Sequence, residues 1–232
     1  SWRDAGVNLQ GLETSMCDPD KPGVWFAYGH RSTDRGATWS RMQGCDGVLT
    51  LGPRGERRLI GVRATASGWQ VVSSGDHGAT WPAFGPELRV GNREAVDVAY
   101  DPANKALWAA ADLKLWRWNG SGDWLRVALP LDQFGESRVR TVAVDPSAPS
   151  RVFVGSAANL WNSTVSVLAS FDAGQTWQNM TRQTPLAEGQ KDGGREAICI
   201  RVHPRSHEVW VSTSCYGIWK LVPRRQAARP ID

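Results

Sequence analysis

Three octapeptides, Ser32-Thr33-Asp34-Arg35-Gly36-Ala37-Thr38-Trp39, Ser74-Gly75-Asp76-His77-Gly78-Ala79-Thr80-Trp81 and Ser170-Phe171-Asp172-Ala173-Gly174-Gln175-Thr176-Trp177, all read S-x-D-x-G-x-T-W. This is turn chemistry. The aspartate accepts backbone N–H groups across a tight bend, the glycine supplies positive φ, and Thr-Trp resumes an extended strand. A degenerate fourth copy, Gly120-Ser121-Gly122-Asp123-Trp124, keeps the tryptophan alone, and the ladder Trp39, Trp81, Trp124, Trp177 advances in steps of 42, 43 and 53 residues. A repeat with that period is the mark of a propeller or solenoid. It also accounts for 13 Trp in a chain with 5 Phe and 3 Tyr.

A second marker falls between the octapeptides. Short apolar or alternating runs end at a turn in Met16-Cys17-Asp18-Pro19, Leu49-Thr50-Leu51-Gly52-Pro53, Val98-Ala99-Tyr100-Asp101-Pro102, Val142-Ala143-Val144-Asp145-Pro146 and Ile200-Arg201-Val202-His203-Pro204. After each comes another β-rich run, such as Ala106 to Ala111 or Glu208 to Thr213. A third strand then leads to the octapeptide and a fourth starts at its Trp. Four strands per repeat make a propeller blade, so the chain reads as an all-β propeller of at least five four-stranded antiparallel blades. Residues 1–222 form the propeller and 223–232 a polar tail. Ser1-Trp2 looks like the last two residues of an octapeptide; residues 1–5 then either complete the last blade or mark a longer propeller.

The octapeptide resembles the Asp-box, or BNR repeat. Together with Ala143-Val144-Asp145-Pro146 and Arg151-Val152-Phe153-Val154-Gly155-Ser156, the third copy is similar to the repeats of xyloglucanase-type glycosidases, sortilin-type receptor propellers and photosystem assembly factors. The resemblance implies a secreted, cell-surface or periplasmic protein. It also implies that Asp34, Gly36, Trp39, Asp76, Gly78, Trp81, Asp172, Gly174 and Trp177 are structural, since Asp-boxes sit on the blade periphery and serve folding. Sialidase chemistry would need an Arg-Ile-Pro motif, an arginine triad and a Tyr–Glu pair. The motif does not occur, and Tyr28, Tyr100 and Tyr216 are the only tyrosines. No position matches the catalytic aspartates of the xyloglucanases.

Aligning the repeats on their turns places Glu13, Asp46, Glu94, Arg138 and Glu196 where the innermost strands begin, at one mouth of the central channel. Two of these positions lie in near-identical triplets, Arg93-Glu94-Ala95 and Arg195-Glu196-Ala197. In a glycoside hydrolase, two of Glu13, Asp46, Glu94 and Glu196 would act as acid and base or nucleophile, about 5 Å apart for retention and roughly 6.5 to 9.5 Å for inversion. Alternating Arg and Glu also pair with one another, and such pairing lowers a carboxyl pKa, the wrong direction for a general acid. Arg93, Arg138, Arg195 and the loop residue Trp161 are the ligand-binding candidates; Trp108 and Trp210 read as buried strand residues.

The remaining composition narrows the function classes. Net charge is +4 with both signs interspersed, which gives nucleic-acid binding little support. No apolar stretch reaches the roughly 18 residues of a membrane span. Cys17, Cys45, Cys199 and Cys215 lack metal-ligand spacing, and their pairing as disulfides is open. No metal or cofactor is expected. The function expected is recognition of a glycan or protein at the channel rim; a glycoside hydrolase and a scaffold subunit, with further blades or a partner chain, are the alternatives.

Overall fold

The computed structural model of the chain describes residues 15–27, 29–51, 58–91, 96–130, 138–157, 166–180, 197–203, 205–213 and 217–221. Sheet one holds β1 (Ser15–Cys17), β2 (Trp25–Ala27), β3 (His30–Ser32) and β4 (Ser40–Arg41). Sheet two holds β5 (Gly47–Leu51), β6 (Leu59–Ala64), β7 (Gly68–Ser74) and β8 (Leu88–Arg89). Sheet three holds β9 (Asp97–Asp101), β10 (Ala106–Ala111), β11 (Lys114–Trp118) and β12 (Leu125–Val127). Sheet four holds β13 (Arg138–Val144), β14 (Val152–Ala157), β15 (Ser166–Ser170) and β16 (Gln178–Asn179); sheet five holds β17 (Ala197–Val202), β18 (Val209–Thr213) and β19 (Ile218–Leu221).

In every sheet the strands follow chain order, each antiparallel to the last, and the five sheets stand in a ring as a five-bladed β-propeller. First strands lie innermost, because β5, β9, β13 and β17 meet one another in succession. The expected closure by residues 1–5 lies outside the described residues. No α-helix occurs among the described residues, and none long and apolar enough to cross a membrane.

The core is a series of joints between sheets. Val24, Phe26, Leu59, Val72 and Trp81 fill the first joint; Ile60, Val98, Leu107 and Trp118 the second; Trp108, Leu115, Val142 and Leu168 the third; Phe153, Val167, Ile200 and Val211 the fourth. A middle blade is therefore covered on both faces. This is why β10 reads as an unbroken apolar run, all of it buried, rather than as an alternation. Each fully buried Leu or Val contributes about 1.5–3 kcal/mol, so the joints carry most of the stability.

The S-x-D-x-G-x-T-W turns share one hydrogen-bond pattern. Ser32 Oγ donates to Asp34 Oδ1 (2.8 Å) and accepts from Gly36 N (2.8 Å); Asp34 then accepts from Thr38 N (2.8 Å) and Thr38 Oγ1 (2.6 Å). The Ser74 and Ser170 turns repeat every one of these bonds. The residue before each glycine also takes positive φ (Arg35 60°, His77 60°, Ala173 56°), so the bend uses two left-handed residues, not glycine alone. Trp39 Nε1 and Trp81 Nε1 close the turns onto Gly36 O and Gly78 O. The Asn119–Asp123 segment loses the serine–aspartate core, yet Trp118 Nε1 reaches Gly122 O in a similar closure.

One expectation needs correcting. In sheet two the fourth strand begins at Leu88, not at Trp81. Pro82 follows the tryptophan, has no N–H to donate, and leaves only an isolated Val72–Ala83 bridge there.

Candidate functional site

The innermost strands carry a polar cluster that crosses three blades. Counting back four residues from the turn positions Asp101, Asp145 and His203 gives Asp97, Thr141 and Cys199. Asp97 opens β9 and is buried. Its Oδ2 accepts from Thr141 Oγ1 (2.6 Å) and Val142 N (3.2 Å) on β13 and lies 3.5 Å from Arg201 Nη1 on β17, while Oδ1 accepts from Val98 N (3.0 Å). Thr141 Oγ1 in turn accepts from Ile200 N (3.0 Å) on β17. One carboxylate and one hydroxyl thus tie blades three, four and five together.

Electrostatics agree with that geometry. Burial weakens the Arg201 cation, but Asp97 more than restores it, and its pKa lies above the ordinary arginine value. The guanidinium also donates to Ile200 O (2.7 Å), and its side chain is 45 % exposed toward solvent. Burial raises the pKa of the neighbouring Cys199 thiol, which stays protonated at neutral pH. Asp97 would have to abandon three blades' contacts to shuttle a proton. The cluster is built to hold an arginine in place.

Of the rim residues expected from the sequence, Asp46 and Arg138 lie within the described residues. Asp46 precedes β5; its N–H donates to Val62 O (2.8 Å), its Oδ2 accepts from Ala64 N (2.8 Å), and Arg41 Nη2 approaches Oδ1 at 3.4 Å. Arg138 begins β13 opposite Ala157, half-buried. The two stand two blades apart, in sheets two and four. Glu13, Arg93, Glu94, Arg195, Glu196 and Trp161 lie outside the described residues. Asp97 and Arg201 were not singled out in the sequence. The available signal was the shared offset of Asp97 and Thr141 from their turns.

At the opposite ends of the inner strands, the turn aspartates staple neighbouring blades. Asp18 Oδ2 meets His77 Nδ1 at 2.8 Å, and Asp145 Oδ2 meets His207 Nδ1 at 2.7 Å. Burial raises the Asp145 pKa, but bonds from His207 and Ser147 outweigh it and bring the carboxyl below its ordinary range. In the octapeptide turns the threonine hydroxyls and N–H groups, with the serines, hold Asp34 and Asp172 down at about 2. Asp76 shifts the same way against the opposing effect of its burial.

The described cysteines Cys17, Cys45 and Cys199 are free thiols. Among the described residues no group of His, Cys, Asp and Glu could hold a metal ion. Trp210, expected in the core, is instead 40 % exposed.

No family model matches the chain, and neither does any curated protein. Solved structures do match it. An ancestral GH74 enzyme superposes with a TM-score of 0.66 at 18% identity, covering 89% of this chain and 30% of that one. A GH74 xyloglucanase from Xanthomonas campestris gives 0.58 at 16% identity over 90% of this chain and 36% of its own. A putative TolB from Agrobacterium tumefaciens gives 0.55 at 11% identity, covering 82% and 65%. At such identities the likeness is one of fold. The chain spans about a third of the length of the two GH74 enzymes.

Proposed function

We propose that the chain is an Asp-box β-propeller that recognises a polysaccharide at the channel rim without cleaving it, as a module of a secreted or surface-associated protein. The observation that carries this reading is the state of Asp46 and Asp97. Asp46 accepts one backbone N–H and Asp97 two, and each faces an arginine, where an acid–base pair needs carboxyls open to a substrate. The same contacts hold Arg201 in a fixed position, and a fixed, partly exposed donor suits a hydroxyl-rich ligand. The two GH74 neighbours, one of them a xyloglucanase, support a glycan as the ligand to test first. The propeller spans residues 1–222, with 223–232 as a tail, and needs no cofactor.

The rival reading is a glycoside hydrolase using Glu13, Glu94 or Glu196, and the structural neighbours favour it as a second choice. Affinity electrophoresis in gels containing xyloglucan, or other plant and bacterial polysaccharides in turn, tests the proposal. Retardation by at least one polysaccharide, weakened about tenfold in Kd by Arg138→Ala or Arg201→Ala, is the result expected. Unretarded migration on every polysaccharide would reject glycan recognition.

A further inference from the structure

Two blade joints, those leading into the full octapeptide turns of sheets two and four, share a contact that the third full turn lacks. In each sheet, take the residue paired with the second position before the turn: Phe26 opposite Met16, Ile60 opposite Thr50, Trp108 opposite Ala99, Phe153 opposite Ala143, Trp210 opposite Arg201. Phe26 and Trp108 face the following blade and receive the left-handed glycine of its octapeptide turn. A Cβ on Gly78 would sit 2.5 Å from Phe26 Cε1, and one on Gly174 would sit 2.5 Å from Trp108 Cη2. Ring and glycine are in direct contact, with no room for a side chain between them.

The neighbouring position faces the preceding blade. It holds Leu59, Leu107, Val152 and Val209 in sheets two to five, all buried at 0–3 % exposure. Sheet one has Trp25 there, opposite Cys17, and it is 38 % exposed. Its ring lies on the chain's own Gly36, whose added Cβ would meet Trp25 Cε3 at 3.2 Å and Cζ3 at 3.3 Å. Gly36 is thus covered in its own blade, where Gly78 and Gly174 are covered by the blade before. Sheet one follows sheet five in the ring, and the joint aromatic of sheet five, Trp210, is 40 % exposed with Lys220 Nζ 5.5 Å from its ring.

We propose that Trp210 and the Gly36 turn of the same chain are two halves of a fifth joint, and that Trp25 keeps it open by lying on Gly36 itself. The partner that fits the Trp210 face is known from the first and third joints: a box turn with its glycine bared. Within this chain only Gly36 has lost that contact to a residue of its own blade among the three full turns, Gly78 and Gly174 being occupied across joints. Trp25 acts as a plug, and the seam between sheets five and one can exist open or closed.

The full chain carrying Trp25→Leu, the residue type at this position in sheets two and three, tests this. Hydroxyl-radical footprinting read by mass spectrometry gives Trp210 exposure, sedimentation gives mass, and thermal unfolding gives Tm. The result expected is several-fold protection of Trp210, an unchanged monomer mass and a Tm raised by about 5 °C. Adding Trp210→Ala should then remove the rise, a coupling that two independent sites would not show. Protection with a doubled mass would overturn the assignment to the same chain, and unchanged Trp210 reactivity would overturn the plug. If Trp25→Leu fails to fold, Trp210→Ala in the parent chain still decides: it should leave Tm nearly unchanged, and a loss as large as that from Trp108→Ala would mean Trp210 is already docked.

Discussion

Replacing Gly174 with alanine separates two terms that the turn glycines combine. The first is conformational: Gly174 has φ +90°, and an L-residue in left-handed backbone costs roughly 1–2 kcal/mol. The second is contact. The new methyl would lie 2.5 Å from Trp108 Cη2, and Trp108 has nowhere to go: it is 1 % exposed, edge-on to Trp177 at 6.4 Å, with the Arg117 guanidinium 4.8 Å from its ring. Overpacking of a filled core costs about 1–3 kcal/mol, giving a total of roughly 2–5 kcal/mol. Gly122 is the internal control, with φ +68° and nothing within 4 Å of an added Cβ. Gly122→Ala should lose the conformational term alone. For a chain of this size each kcal/mol moves Tm by roughly 2–4 °C, so thermal unfolding should show a drop of about 4–20 °C for Gly174→Ala and about 2–8 °C for Gly122→Ala, the first at least twice the second. Equal losses would refute the contact between turn glycine and neighbouring blade as a source of stability.

Three other outcomes follow from the polar contacts. Asp97→Ala strands the Thr141 hydroxyl and the Val142 N–H and should cost roughly 2–4 kcal/mol in urea unfolding, against under about 1 kcal/mol for Asp46→Ala, whose arginine partner is solvent-exposed; the reverse order would contradict the cluster's role. Asp145 has a folded pKa below its unfolded one, so its contribution is complete above about pH 4 and disappears as pH falls through the folded value; Asp145→Asn should flatten the acid limb of the stability–pH curve, and an unchanged limb would discount the His207 staple. Burial pushes the Cys45 thiol up to about 12, so at pH 8 a disulfide reagent should label exposed Cys17 quickly and leave Cys45 untouched until the chain unfolds; equal labelling would show the first joint to be open.

Much of the fold was legible because its determinants are local. Ser32, Asp34, Gly36 and Thr38 bond to one another within seven residues, so their spacing alone specifies the turn and its strands. Strand β10 falls on Ala106–Ala111, the residues expected, since apolar character on both faces leaves little choice of register. The site was less legible because its contacts span long separations. Asp97 meets Arg201 across three blades, and nothing around either residue announces the other. Trp108 and Trp210 occupy one register position in similar apolar runs, yet one is buried and the other is not. The difference lies in the next blade's turn, which strand alternation does not encode.

Binding is separated from hydrolysis by prolonged incubation of the pure chain with a polysaccharide that retards it in a gel. New reducing ends, quantified against an inactive-protein blank, are the readout. No release above blank is expected at any pH from 4 to 8. Steady release that is abolished by Glu94→Gln or Glu196→Gln would contradict recognition without hydrolysis and make the chain a glycoside hydrolase.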